Sequence, residues 1–136
     1  MMRPSDEQPL ASGIRWWRVL GGGFLIELVL TIVSVPFFAT GRTADLMIVI
    51  PPATLVVAAL FGAWAARRTT RPVLNATLAG VAAFAIYLIL LLGNILFAPQ
   101  KPDLTAALSL SYLASHVFKV LGAMAGGWWV ARRAGN

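Results

Sequence analysis

The sequence predicts an all-α protein, a four-helix transmembrane bundle with both termini on the same side of the bilayer. Three observations predict it. Of the 136 residues, 59% are hydrophobic and only 12% are charged, whereas a soluble domain carries about twice that charge. The apolar residues gather in four long blocks, each near or above the ~20 residues that a helix needs to span ~30 Å of hydrocarbon. The arginines sit in short clusters at the ends of those blocks, where membrane topology, and not a nucleic acid, accounts for the net charge of +6.

The whole chain reads as a single transmembrane domain. Residues 1–12 are polar, contain Pro4 and Pro9, and are expected to form a disordered cytoplasmic tail. The spans are expected over residues 17–39, 44–66, 73–97 and 104–131. The first apolar block exceeds the roughly 7–15 residues of a signal-peptide core, so it is expected to stay as a helix. The links between blocks are short, which makes successive helices antiparallel neighbours. Asp45 and Asp103 precede or open spans two and four, where a carboxylate caps the first turn and complements the helix dipole. Pro51 and Pro52 are expected to kink span two or to mark its true start.

Orientation follows from the basic residues. Arg3, Arg15, Arg18, Arg67, Arg68, Arg71, Arg132 and Arg133 fall on one side, against Arg42 and Lys101 on the other. The positive-inside rule places the larger set, and with it both termini, in the cytoplasm; the expected location is the cell (inner) membrane. Trp16, Trp17, Trp64, Trp128 and Trp129 mark the same interface, where their rings suit the headgroup layer. The halves also resemble each other. Gly62-Ala-Trp-Ala-Ala-Arg-Arg68 and Gly127-Trp-Trp-Val-Ala-Arg-Arg133 share five of seven positions at an offset of 65. Asp45-Leu46 matches Asp103-Leu104, and Leu20 and Gly22 match Leu78 and Gly80, at an offset of 58. A duplicated helical hairpin with seven extra residues in its second copy would account for this. So would convergence on the same interfacial end.

Three ionisable side chains lie inside spans: Glu27 in the first, and His116 and Lys119 in the fourth. A charge at mid-bilayer costs about 2.5–3.5 kcal/mol on insertion scales, so such groups face protein or water and seek partners. Glu27 is ten residues from Trp17, and Lys119 ten from Trp129. At a rise of 1.5 Å per residue, both sit about 15 Å from one interface. Matched depth predicts that they pair, bringing spans one and four together. His116 is one turn from Lys119 on the same face. A polar and small-residue seam is expected through Thr105, Ser109, Tyr112, His116, Lys119, Ala123 and Gly126. The cluster reads either as a structural ion pair that fixes register or as a proton or cation site.

Small residues are expected to pack the helices. Gly122 and Gly126 form a GxxxG motif, Ala58, Gly62 and Ala66 a small-residue row in span two, and Ala76 with Gly80 another in span three. These rows serve packing within the chain or between chains. Gly21-Gly22-Gly23 lacks the preceding strand and following Gly-Lys-Ser/Thr of a phosphate loop. The chain has one histidine, no cysteine and no nucleophile–base pattern. No enzymatic activity, cofactor, metal or nucleic acid is expected.

The stretch Phe118-Lys-Val-Leu-Gly-Ala-Met-Ala-Gly-Gly-Trp-Trp-Val-Ala-Arg-Arg133 resembles small four-helix bacterial membrane proteins of unknown function, which implies an architecture and no activity. The four spans, small size and Glu27 also resemble the small multidrug resistance transporters. That resemblance implies a dimeric, proton-coupled exporter of cationic apolar compounds and carries over Glu27 alone. The tryptophan–glycine pattern of that family's third span is missing between Gly80 and Gly93. The expected function is that of an accessory, assembly or scaffold protein, partnered by lipid and by its own copies or another membrane protein. The alternative is a proton-coupled small-molecule transporter or channel using Glu27, His116 and Lys119.

Overall fold

Four helices follow one another in the computed structural model, which describes residues 13–97, 99 and 109–135. They are α1 (Trp16–Ala39), α2 (Thr43–Ala66), α3 (Pro72–Phe97) and α4 (Leu110–Ala134). At 24 to 26 residues, each is about 36–39 Å long. The protein is all-α among the described residues. Helices α1, α2 and α3 are long and apolar enough to cross a membrane. The same reading was expected of the fourth helix, but α4 carries Ser111, Ser115, His116, Lys119, Arg132 and Arg133 and is not among the helices that meet that measure.

Local chemistry sets the ends. Helix α1 closes in a Schellman motif: Arg42 N–H donates to Phe37 O at 2.9 Å and Gly41 N–H to Phe38 O at 3.3 Å. Gly41 takes the left-handed φ of +69° that this turn needs. Asp45 lies in the first turn of α2 but makes no capping bond there. Its carboxylate instead takes the Arg42 guanidinium at 2.6 Å. Pro51 and Pro52 lie inside α2, eight and nine residues after its first residue, and so do not mark its start. Pro72 opens α3, where its missing N–H costs no helix bond. Ser109 caps α4, its Oγ accepting from Tyr112 N–H at 3.4 Å. The described helix thus opens at Leu110. The expected start, together with Thr105, Asp103 and the tail of residues 1–12, lies outside the described residues.

Helices α2 and α4 form the most extensive contact, and α3 packs on α4, α1 on α3, and α1 on α2. Helices α1 and α4 therefore occupy opposite corners. Glycine makes these contacts close. A Cβ on Gly126 would lie 2.1 Å from Ala59 O, one on Gly122 2.5 Å from Leu55 O, and one on Gly62 2.5 Å from Ala123 Cα. Gly80 lets α3 rest against the Lys119 backbone, and Gly23 lets α1 rest against Ala82 and Ala83. The rows read from the sequence thus pack within the chain.

Burial is inverted relative to a soluble bundle. The core is largely alanine and glycine, with Glu27, Asn75, Thr54, Ser115 and Lys119 buried among them. The large apolar side chains point outward, including Phe24, Ile32, Ile48, Leu60, Ile89 and Leu96. Helix α4 shares the pattern, with Leu110, Leu113, Val117, Leu121, Met124 and Trp128 exposed along one stripe. A lipid solvent rewards this arrangement, because apolar surface needs no burial there while polar groups do.

Candidate functional site

The bundle has two unlike halves. At one end lie the start of α1, the end of α2, the start of α3 and the end of α4. Arg15, Arg18, Arg67, Arg68, Arg71, Arg132 and Arg133 gather there. The Arg18 guanidinium stands over the rings of Trp17 and Trp64 at 5.0 and 5.7 Å, and those rings meet edge to face. Arg132 lies over Trp128 at 3.7 Å and Arg133 over Trp129 at 4.0 Å. Such stacking holds cation and ring together at an interface. Asn75, fully buried, ties this end shut. Its Oδ1 accepts from Arg15 N–H at 2.8 Å, and its Nδ2 donates to Arg71 O at 3.0 Å and to Gly13 O at 3.3 Å.

The other half opens into a chamber of about 180 Å³. Its floor is the Lys119–Glu27 ion pair, both partners buried. The pair runs across the diagonal between α1 and α4. Those helices share little backbone contact, so the reach of the two side chains joins them and close packing does not. The Lys119 ammonium also sits over the Tyr87 ring at 4.9 Å. Helix α1 lines the chamber with Glu27, Leu30, Thr31, Ser34, Val35 and Phe38, at the spacing of one helical face. Helix α2 adds Ile50 and Thr54, α3 adds Tyr87, and α4 adds Tyr112, Ser115, His116 and Lys119.

Nine of these thirteen residues are polar, but most of their polar atoms are buried and the surface that faces the chamber is chiefly apolar. The hydroxyls are partly committed. Ser34 Oγ donates to Leu30 O, Thr54 Oγ1 to Ile50 O and Ser115 Oγ to Ser111 O, at 2.7–2.8 Å. Each hydroxyl hydrogen thus serves its own helix, which leaves the oxygen lone pairs as the free function. His116 packs among Tyr87, Phe84 and Tyr112, with ring centroids 4.3, 4.9 and 6.2 Å away. Both of its ring nitrogens are buried without a hydrogen-bond partner.

Of the residues singled out in the sequence, Glu27, His116, Lys119 and Tyr112 meet at the chamber. Ser109 stands apart at the cap of α4, where its Oγ faces Met47 Sδ at 3.8 Å. Gly122, Gly126, Ala58 and Gly62 form the α2–α4 contact. Sequence reasoning missed Tyr87, Ser34, Thr54, Ser115 and Asn75. Ser34 lies seven residues from Glu27, and Ser115 four from Lys119, so helical spacing from the two charges would have found both. Searches of protein-family models, curated proteins and solved structures returned no match to this chain.

Proposed function

We propose that this chain is a four-span membrane protein that binds a small solute or a proton inside the bilayer, as a small transporter or channel does. The observation that carries this reading is the contrast between the two halves. One half is packed backbone to backbone through glycine and sealed by Asn75. The other keeps a chamber of chiefly apolar surface, with a few polar groups in its wall, beside a buried ion pair. Walls of chiefly apolar surface with a few polar groups suit a small occupant. The outward apolar stripe on α4 supports a fourth crossing, since its polar residues turn inward. The arginine-rich end faces the cytoplasm in this reading, with the chamber toward the opposite side. The two Gly…Arg-Arg motifs end α2 and α4 at that same end, which suits a duplicated hairpin.

The chain has no cysteine, so single cysteines report access. Ser34→Cys and Ser115→Cys are expected to react with a small thiol reagent in lipid, whereas Ala76→Cys, at 0% exposure in the packed half, is not. If Ser34→Cys and Ser115→Cys react no faster than Ala76→Cys, the chamber is closed and this reading fails.

An accessory or assembly role is the second reading. The feature that favours it is the mutual satisfaction of Glu27 and Lys119, which needs no ligand. Exchanging the charges separates the two. Restored folding in the Glu27→Lys, Lys119→Glu double variant without proton uptake into liposomes, where the wild-type protein shows uptake, assigns the pair to function. Uptake in neither protein favours assembly.

A further inference from the structure

We infer that the chamber selects an uncharged molecule of about one ring in size that carries a hydroxyl or a similar group able both to donate and to accept a hydrogen bond. This rests on reading the chamber as a binding site. Charge is the first argument. Glu27 and Lys119 neutralise each other at the chamber floor, and an added charge would be uncompensated near mid-bilayer, where charge is disfavoured. A charged ligand would have to break the pair and strand one partner.

Size is the second argument. A cavity of about 150 Å³ is known to hold benzene, and this chamber measures about 180 Å³. Leu30, Ile50, Phe38 and the Tyr87 ring offer it apolar and aromatic surface.

Hydrogen-bonding chemistry is the third. A neutral imidazole presents one donor and one acceptor, and neither nitrogen of His116 has a partner. The back-bonded oxygens of Ser34 and Ser115 add acceptors. A hydroxyl answers both demands, giving its hydrogen to an acceptor and, once the enclosed imidazole turns a nitrogen toward the chamber, taking one from the ring.

The chain has one histidine, so isotope-labelled imidazole signals of the untagged protein in nanodiscs report this site alone. Phenol, toluene, benzoate and benzylammonium serve as probes of one size. Phenol is expected to shift the His116 signals saturably, with the other three at least ten-fold weaker. Ser115→Phe, which fills the chamber, is expected to abolish saturation, and Ser34→Phe serves the same purpose if that variant does not fold. Toluene binding as tightly as phenol overturns the hydrogen-bonding argument. Benzoate or benzylammonium binding as tightly overturns the charge argument but leaves the chamber a binding site. Saturation that persists in folded, filled variants overturns the assignment to this chamber. No shift with any probe, with the chamber holding water only, overturns this inference and leaves the proton reading to the uptake measurement.

Discussion

Lys119 and Glu27 illustrate what a buried charge demands of a lipid-facing fold. Lys119 is 3% and Glu27 7% exposed, so neither draws on solvent, and each is held by the other. Removing one partner leaves an uncompensated buried charge, which costs about 3–5 kcal/mol, while removing both is often close to neutral. Glu27→Gln is therefore expected to lower the thermal midpoint in detergent sharply. The Glu27→Gln, Lys119→Met pair of changes should recover most of the loss. An effect of Glu27→Gln no larger than that of Thr31→Ala, at an exposed position on the same helix, would show that the pair holds nothing together. The pairing was legible in the sequence because the α-helix is a ruler: equal counts from Trp17 and Trp129 gave equal depth. The partners of His116 were not legible. Tyr87 and Phe84 reach it from α3, and no spacing within α4 points to them.

At the scale of elements, glycine decides which helices touch. The GxxxG of α4 was visible as a motif, but its partner was not. Any helix, or a second chain, offers a surface to such a row. The structure turns it to α2, where Ala59, Ala63 and Leu55 supply backbone contact. Gly126→Leu is expected to separate α2 from α4 and to abolish a cooperative thermal transition, since its Cβ alone would lie 2.1 Å from Ala59 O. Gly93 meets nothing within 4 Å of a built Cβ. Gly93→Ala is expected to be neutral or to stabilise by up to about 1 kcal/mol through helix propensity. Equal behaviour of the two variants would remove the α2–α4 interface from the account. The ends of α1 and α4 carry a second lesson. The Schellman turn at Gly41 follows from a glycine after an apolar block. The Ser109 cap went unread because polar seam residues and capping residues draw on the same side chains.

At the scale of the molecule, charge is sorted to one end and apolar surface to the belt. Seven of the described arginines gather where Trp16, Trp17, Trp64, Trp128 and Trp129 also lie. At the other end, Arg42 is matched by Asp45. With that asymmetry setting orientation, a cysteine at Gly135 should be shielded from an impermeant maleimide in intact spheroplasts, and one at Thr40 should be labelled. The reverse pattern would invert the topology and place the chamber toward the cytoplasm.

What the sequence determined by itself is an all-α chain with helices long and apolar enough to cross a membrane. Block length, low charge and arginine placement specify helices in an apolar medium, because an apolar block about 20 residues long has few other ways to satisfy its backbone in lipid. It also determined that Glu27 and Lys119 share a depth. Only the tertiary structure decided that α1 and α4 stand at opposite corners, joined across the bundle by that pair and by little else. The physical reason is that depth is a property of one helix, counted along its axis. Neighbourhood depends on which small-residue faces fit together. In this bundle the glycines drew α4 onto α2 and α3, and the space left on the diagonal became the chamber.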